Sequence, residues 1–187
     1  MSTLFIKNMV CNRCIMVIEN ELSKLNIAIE SIKLGEVTLE QELNPKDREA
    51  LEAALIPLGF EVIDNKKSRL IEQIKNTIVE LVHYQNNESK SNLSDLLSEK
   101  LNHDYNYLSN LFSEIEGTTI EKYFIAQKIE KIKELLVYDE LSLSEIAIRL
   151  NYSSVAYLSN QFKKVTGLTP SYFKQIREDK RKSLDKV

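Results

Sequence analysis

Sliding the 187-residue chain against itself by fifty positions brings nine identities into a window of 27. Leu93-Ser94 falls on Leu143-Ser144, and Tyr107-Leu108-Ser109-Asn110 on Tyr157-Leu158-Ser159-Asn160. Phe112 falls on Phe162, Gly117 on Gly167 and Thr119 on Thr169. Shared helical composition does not cluster four identities in one tetrapeptide, so the chain holds two copies of one supersecondary unit. Any fold must use that unit twice.

Each copy reads as a short helix, a tight polar turn, a second helix and a Gly-x-Thr ending. In the first, Leu93–Leu101 is the short helix, Asn102-His103 the turn, and Asp104 caps a helix to Ile115. In the second, Leu143–Leu150 leads to Tyr152-Ser153, and Ser154 caps a helix to Val165. Asp and Ser suit that position because a side-chain oxygen accepts an otherwise unpaired backbone N–H. Two helices on such a turn form a helix-turn-helix, whose second helix can enter a major groove. A solenoid of α-hairpins shares the periodicity, but two copies are too few for a solenoid. A long helix, Thr119–Val137, also separates them. At 1.5 Å per residue it spans about 27 Å, roughly the spacing of successive major-groove faces once side chains are added.

The first 65 residues change rhythm every ten or so. Thr3–Val10 is rich in Phe, Ile and Val and reads as a strand, and Ile15–Leu25 has helical spacing. Ile27–Leu34 and Val37–Glu42 alternate around Gly35-Glu36, which predicts a hairpin. Asn44 caps a helix with Pro45 at its first position, running to Leu58. Gly59 ends it, and Phe60–Asp64 is a last strand. The order is βαββαβ, a ferredoxin-like split-βαβ plan. Asn65–Ser68 reads as a linker, and Arg69–Tyr84 as a helix with Leu70, Ile71, Ile74, Ile78, Leu81 and Val82 on one face. Polar Gln85–Ser91 reads as a loop. The expected fold class is α+β. It has a ferredoxin-like domain over residues 1–66, then an all-α domain over 67–187 with two helix-turn-helix units joined by a long helix.

Composition narrows the function. No apolar run approaches the roughly 18–20 residues that cross a bilayer, and the N-terminal residues have no secretory pattern. Two cysteines three positions apart suit a reducing cytoplasm. The four glycines are isolated, so there is no phosphate-cradling loop. No Ser/His/Asp set is evident, and no enzyme is expected. Charge is uneven: residues 1–67 carry 8 Lys+Arg against 11 Asp+Glu, whereas residues 140–187 carry 9 against 5. The basic end points to an anionic partner.

Residues 93–176 resemble the DNA-binding domain of the AraC/XylS family of bacterial transcription regulators. The resemblance is carried by Tyr107-Leu108-Ser109-Asn110-Leu111-Phe112 with Gly117-Thr118-Thr119, and by Leu143-Ser144-Glu145-Ile146-Ala147. Tyr157-Leu158-Ser159-Asn160-Gln161-Phe162 with Gly167-Leu168-Thr169-Pro170-Ser171-Tyr172-Phe173 completes it. It implies base reading by the exposed faces of the two second helices: Asn106, Ser109 and Asn110, then Val155, Ala156, Ser159 and Asn160. Leu108, Phe112, Leu158 and Phe162 fall on the opposite, core face. Where the family often has arginine this chain has Asn110 and Asn160, and asparagine pairs with adenine N6/N7. Glu114 and Glu116 flank the first reading helix. Lys163 and Lys164 flank the second, with Lys174, Arg177, Lys180, Arg181 and Lys182 beyond. The second unit should therefore supply more of the phosphate attraction.

Cys11 and Cys14 lie in Met9-Val10-Cys11-Asn12-Arg13-Cys14, between the first strand and first helix. The positive end of a helix favours thiolates there. The loop is similar to the Met-x-Cys-x-x-Cys loop of heavy-metal-associated domains, and Leu58-Gly59-Phe60 before the last strand also fits. That resemblance implies a soft metal ion, with Cu(I) favoured because two thiolates suffice for it whereas closed Zn²⁺ sites want four ligands. Arg13 adds positive charge, which favours thiolate and disfavours a bound cation. A dithiol–disulfide switch and a plain dimerisation or ligand module stay open beside metal sensing. His83 and His103 belong to the helical half and are expected at surface or capping positions. The reading is a cytoplasmic bacterial regulator that binds double-stranded promoter DNA, with a homodimer as a further expectation. The alternative is a metal-trafficking or thiol-redox protein whose helical half binds a protein partner.

Overall fold

A computed structural model describes residues 2–85, 92–138 and 140–176. They form two compact units that divide between Asn76 and Thr77.

The first unit runs β1 (Ser2–Lys7), α1 (Asn12–Lys24), β2 (Ile29–Lys33), β3 (Glu36–Leu39), α2 (Pro45–Leu55), a 3₁₀ turn (Ile56–Leu58) and β4 (Glu61–Ile63). The four strands make one antiparallel sheet in the order β2-β3-β1-β4. Leu4 of β1 stands opposite Val37, and Phe5 opposite Ile63. Successive strand residues point to opposite faces. Leu4, Ile6, Val37 and Leu39 therefore share a face, which they bury with Ile18 and Leu22 of α1, Leu51 and Leu55 of α2, Met9 and Phe60. Each such side chain contributes about 1.5–3 kcal/mol relative to exposure. Asn44 caps α2 by accepting from the Asp47 N–H at 2.9 Å, with Pro45 behind it.

Two expectations need correction. The hairpin turn is centred on Leu34-Gly35, because Glu36 already pairs with Phe5 in the sheet. Asn65–Ser68 is not a linker: α3 spans Lys66–Val79, and the compact units divide ten residues later than the polar stretch suggests. The Asn65 side chain accepts from the Lys67 N–H at 2.8 Å, so those polar residues start a helix. Arg69 of α3 lays its guanidinium 4.8 Å from the centroid of the Phe5 ring, and Gln73 donates to Glu36 at 2.9 Å. α3 thus covers the sheet face that α1 and α2 leave open.

The second unit takes in a π-helical turn after α3 (Glu80–Tyr84), then α4 (Leu93–Leu101), α5 (Tyr105–Glu116), α6 (Ile120–Tyr138), α7 (Leu143–Arg149), α8 (Val155–Thr166) and α9 (Pro170–Ile176). Of the expected loop Gln85–Ser91, only Gln85 lies within the described residues. The expected apolar face of residues 69–84 is buried throughout, from Leu70 to Val82. α6 is the axis of this unit, touched by the π turn, α5, α7, α8 and α9. Its Ile129, Ile132, Leu135 and Leu136 join Ile146, Leu150, Leu158, Phe162 and Phe173 in one core. Around the first copy, Leu97, Leu108, Leu111, Phe112, Ile120 and Tyr123 are buried. His83 is a third correction to the sequence reading: its side chain is only 5% exposed, and Nε2 lies 3.0 Å from Gln127 Oε1 on α6. Among the described residues no helix is long and apolar enough to cross a membrane.

Candidate nucleic-acid interface

The first helix-turn-helix closes on Asn102, whose left-handed φ of 54° ends α4. Asn tolerates that region better than other side chains. Asp104 then caps α5, its carboxylate accepting from the N–H groups of Asn106 at 2.9 Å and Tyr107 at 3.3 Å. The second copy repeats the device. Ser142 and Glu145 form a reciprocal capping box at the start of α7, Asn151 takes a φ of 54°, and Ser154 accepts from the Tyr157 N–H at 3.0 Å. Gly117 and Gly167 end α5 and α8 in left-handed conformations.

Both second helices are amphipathic in the same register. Leu108 and Phe112 on α5, and Leu158 and Phe162 on α8, are fully buried. The opposite faces carry exposed Asn106 and Asn110 on α5, and exposed Ala156, Asn160, Lys163 and Lys164 on α8. Ser109, Val155 and Ser159 are half-buried, at the margins of those faces. Sequence reasoning used Tyr107 and Tyr157 only as marks of the repeat. Both are about half exposed on the same faces, at 47% and 54%. Exposure of a large ring at equivalent positions is a signal that periodicity alone does not give.

A family model described as a helix-turn-helix domain matches residues 97–176. The C-terminal domain of AraT, a response regulator from Geobacillus stearothermophilus, is 25% identical with a TM-score of 0.51. That match covers 63% of this chain and 95% of the AraT domain. A transcriptional regulator of the AraC-type DNA-binding kind from Chromobacterium violaceum shares the fold at 20% identity and a TM-score of 0.50. It covers 58% of this chain and 96% of that one. The C-terminal part of the chain is an AraC-type helix-turn-helix DNA-binding domain. The xylose operon regulatory protein of Escherichia coli K12 is 26% identical over 179 residues, 89% of this chain and 45% of that protein. The chain thus spans less than half of that regulator's length. These relatives are described as regulatory proteins, one of them a domain of a response regulator.

Charge is divided unequally within the AraC-type domain. α5 ends in exposed Glu114 and half-buried Glu116, whereas α8 carries Lys163 and Lys164 at the equivalent turn, followed by half-buried Lys174 on α9. Arg177, Lys180, Arg181 and Lys182 lie outside the described residues. Tyr105 at the start of α5 donates its hydroxyl to Glu121 of α6. Burial first, and then that bond, raises the phenol's pKa beyond its ordinary value.

Apart from the AraC-type domain, the first unit holds the cysteine pair. Cys11 is the N-cap of α1 and Cys14 sits in its first turn, both half-buried. Their sulfurs lie 3.3 Å apart. Asn8, at a φ of 69°, holds the loop by donating from its side chain to the Gly59 carbonyl at 2.9 Å. The two thiols are not alike, which corrects the expectation of two ready thiolates. Burial raises both, but at Cys11 the backbone and side-chain hydrogen bonds from Cys14, a backbone bond from Arg13 and the Arg13 charge win, and its pKa falls. At Cys14 burial and the bond to Cys11 leave the pKa raised. Among the described residues no group of three His, Cys, Asp or Glu could hold a metal ion. Two sulfurs suit a two-coordinate soft ion such as Cu(I) and do not suit a closed four-ligand Zn²⁺ site.

Proposed function

We propose that this chain is a sequence-specific transcription regulator whose α5 and α8 read bases in the major groove. Asn106, Ser109 and Asn110 would act on α5, and Val155, Ala156, Ser159 and Asn160 on α8, with Lys163 and Lys164 on phosphate. The observation that carries this reading is the matched exposure of Asn110 and Asn160, each two residues before a fully buried phenylalanine. Anchoring one face in the core leaves the other to meet a groove. A bidentate asparagine contact favours adenine, and the lysines add attraction that is blind to sequence.

The first unit's element order and its strand order β2-β3-β1-β4 support reading it as ferredoxin-like and heavy-metal-associated-like. Its Cys11–Cys14 pair would serve as the sensing site. Cu(I) bound by the two sulfurs is one form of that role. A dithiol–disulfide switch is the second, favoured by the 3.3 Å sulfur separation and the lowered pKa of Cys11 alone. Metal or oxidation acting there must alter DNA affinity if the site is a sensor, and DNA must alter metal affinity equally.

The test compares two variants on a duplex enriched by the chain from a random pool and on its scrambled counterpart. Asn160→Ala should cost about 1–3 kcal/mol on the enriched duplex and relax preference at one base pair. Lys163→Ala should weaken both duplexes alike and reduce the salt slope by about one unit. Equal loss on both duplexes with Asn160→Ala removes it from base reading.

A further inference from the structure

Lys128 lies on α6 with its side chain buried at 7% exposure, and among the described residues no carboxylate pairs with it. A buried ammonium is costly unless something replaces water around it. Here aromatic faces do so: Nζ lies 3.8 Å from the centroid of the Tyr152 ring and 5.4 Å from that of Phe124. Cation–π attraction strengthens where water is excluded. Burial lowers the ammonium's pKa to about 8, so the rings hold a group that the site otherwise disfavours.

Tyr152 occupies the turn between α7 and α8. Its hydroxyl donates to Gln161 Oε1 on α8 at 2.6 Å, and its ring lies 6.0 Å from that of Tyr157, tilted by 52°. Gln161 follows Asn160 directly. A bond to one helical side chain fixes the rotation of the helix about its own axis, and so the direction of its neighbours. We propose that Lys128 and Tyr152 are positioning residues for α8, fixing the rotation at which Ser159 and Asn160 face outward.

The first copy lacks this arrangement. Its left-handed turn residue, Asn102, matches Asn151, so His103 stands where Tyr152 does, its ring 5.4 Å from that of Tyr107. Leu111 in place of Gln161 offers no side-chain oxygen to accept a bond. There α5 is tied to α6 directly, through Tyr105 and Glu121. The two reading helices are therefore held by different chemistry on one central helix. A bidentate contact tolerates little misplacement, so loosening α8 should erode discrimination before it erodes affinity.

The inference rests on the base-reading role proposed for α8, and its test separates the two. The full chain is assayed on the enriched duplex and its scrambled counterpart, with melting of each variant measured alongside. Tyr152→Phe and Lys128→Met should each lower the ratio of the two affinities about tenfold, leaving scrambled-duplex affinity within about twofold. Gln161→Leu, which copies Leu111 and so suits the fold, should act like Tyr152→Phe. Lys128→Arg keeps a cation over the ring and should retain the wild-type ratio within about twofold. If these variants leave the ratio unchanged while Asn160→Ala lowers it, positioning is overturned and base reading stands. If both affinities fall together with the melting temperature, the pair is only structural and the proposal is also overturned. If Asn160→Ala itself changes nothing, base reading falls and takes this inference with it.

Discussion

Asp104 and Ser154 cap α5 and α8 at equivalent positions of the repeat, and only one of them is charged. Asp104 accepts two N–H groups and Ser154 one, so both helices are capped. A helix N-terminus attracts phosphate through its dipole and free N–H groups. The Asp104 carboxylate takes that place on α5, whereas the neutral Ser154 leaves α8 attractive to an anion.

Asp104→Ser should therefore tighten binding to DNA of any sequence, by about two- to fivefold at low salt. Serine is as good a cap, so stability should change by only a few tenths of a kcal/mol. The converse Ser154→Asp should weaken binding on every duplex. Anisotropy titrations at several salt concentrations check both signs.

The helix starts and ends of both repeat units were legible from single residues, because caps are local chemistry. Asp104, Ser154, Gly117 and Gly167 stand where the sequence put them. The polar stretch at Asn65 misled because the same residues suit a linker and a helix start, and only packing of α3 on the sheet decides between them. The partners of His83 and Lys128 were not legible. Each lies more than twenty residues from its contact, at Gln127 and Tyr152, where periodicity carries no information. The candidate base readers followed from the family resemblance, which the repeat alone does not supply. The unlike thiols did not, since that difference comes from burial around Cys14 and the bonds to Cys11.

Gly35→Ala should destabilise the first unit by about 1–3 kcal/mol. Gly35 has a φ of 78°, and a Cβ there would lie 2.0 Å from Asn76 Nδ2. Urea unfolding followed by circular dichroism reads the loss. Phe162→Ala should cost about 3–5 kcal/mol, since its ring is fully buried against Phe173, 5.6 Å away.

The cysteines should differ in reactivity. Alkylation follows the thiolate fraction, which at a given pH below the ordinary thiol pKa is larger for the group whose pKa is lowered. Cys11 should accordingly react with iodoacetamide before Cys14 at pH 7, and as pH is raised its rate should climb at a lower pH than that of Cys14. Peptide mapping of partly alkylated protein gives the order. Equal rates would mean that the hydrogen bonds to Cys11 do not favour its thiolate.

Lys128 predicts a pH effect with a definite sign. Its pKa in the folded chain is about 8, below the ordinary 10.5. Between those values the unfolded chain binds the extra proton, so this group makes stability rise with pH across that window. The gain is at most about 3 kcal/mol. Urea unfolding at pH 7.5 and pH 10 should show a rise in the wild type that is smaller in Lys128→Met.

The most direct measurement is to select duplexes with the full chain from a random pool and footprint the best one with hydroxyl radicals. Two reading helices on one central helix predict two protected segments on one face of the duplex, about 10 base pairs apart centre to centre. Adenines should be enriched in both, and the segment facing α8 should survive higher salt. No enriched sequence, or one protected segment shorter than a helical turn, would contradict reading by both α5 and α8.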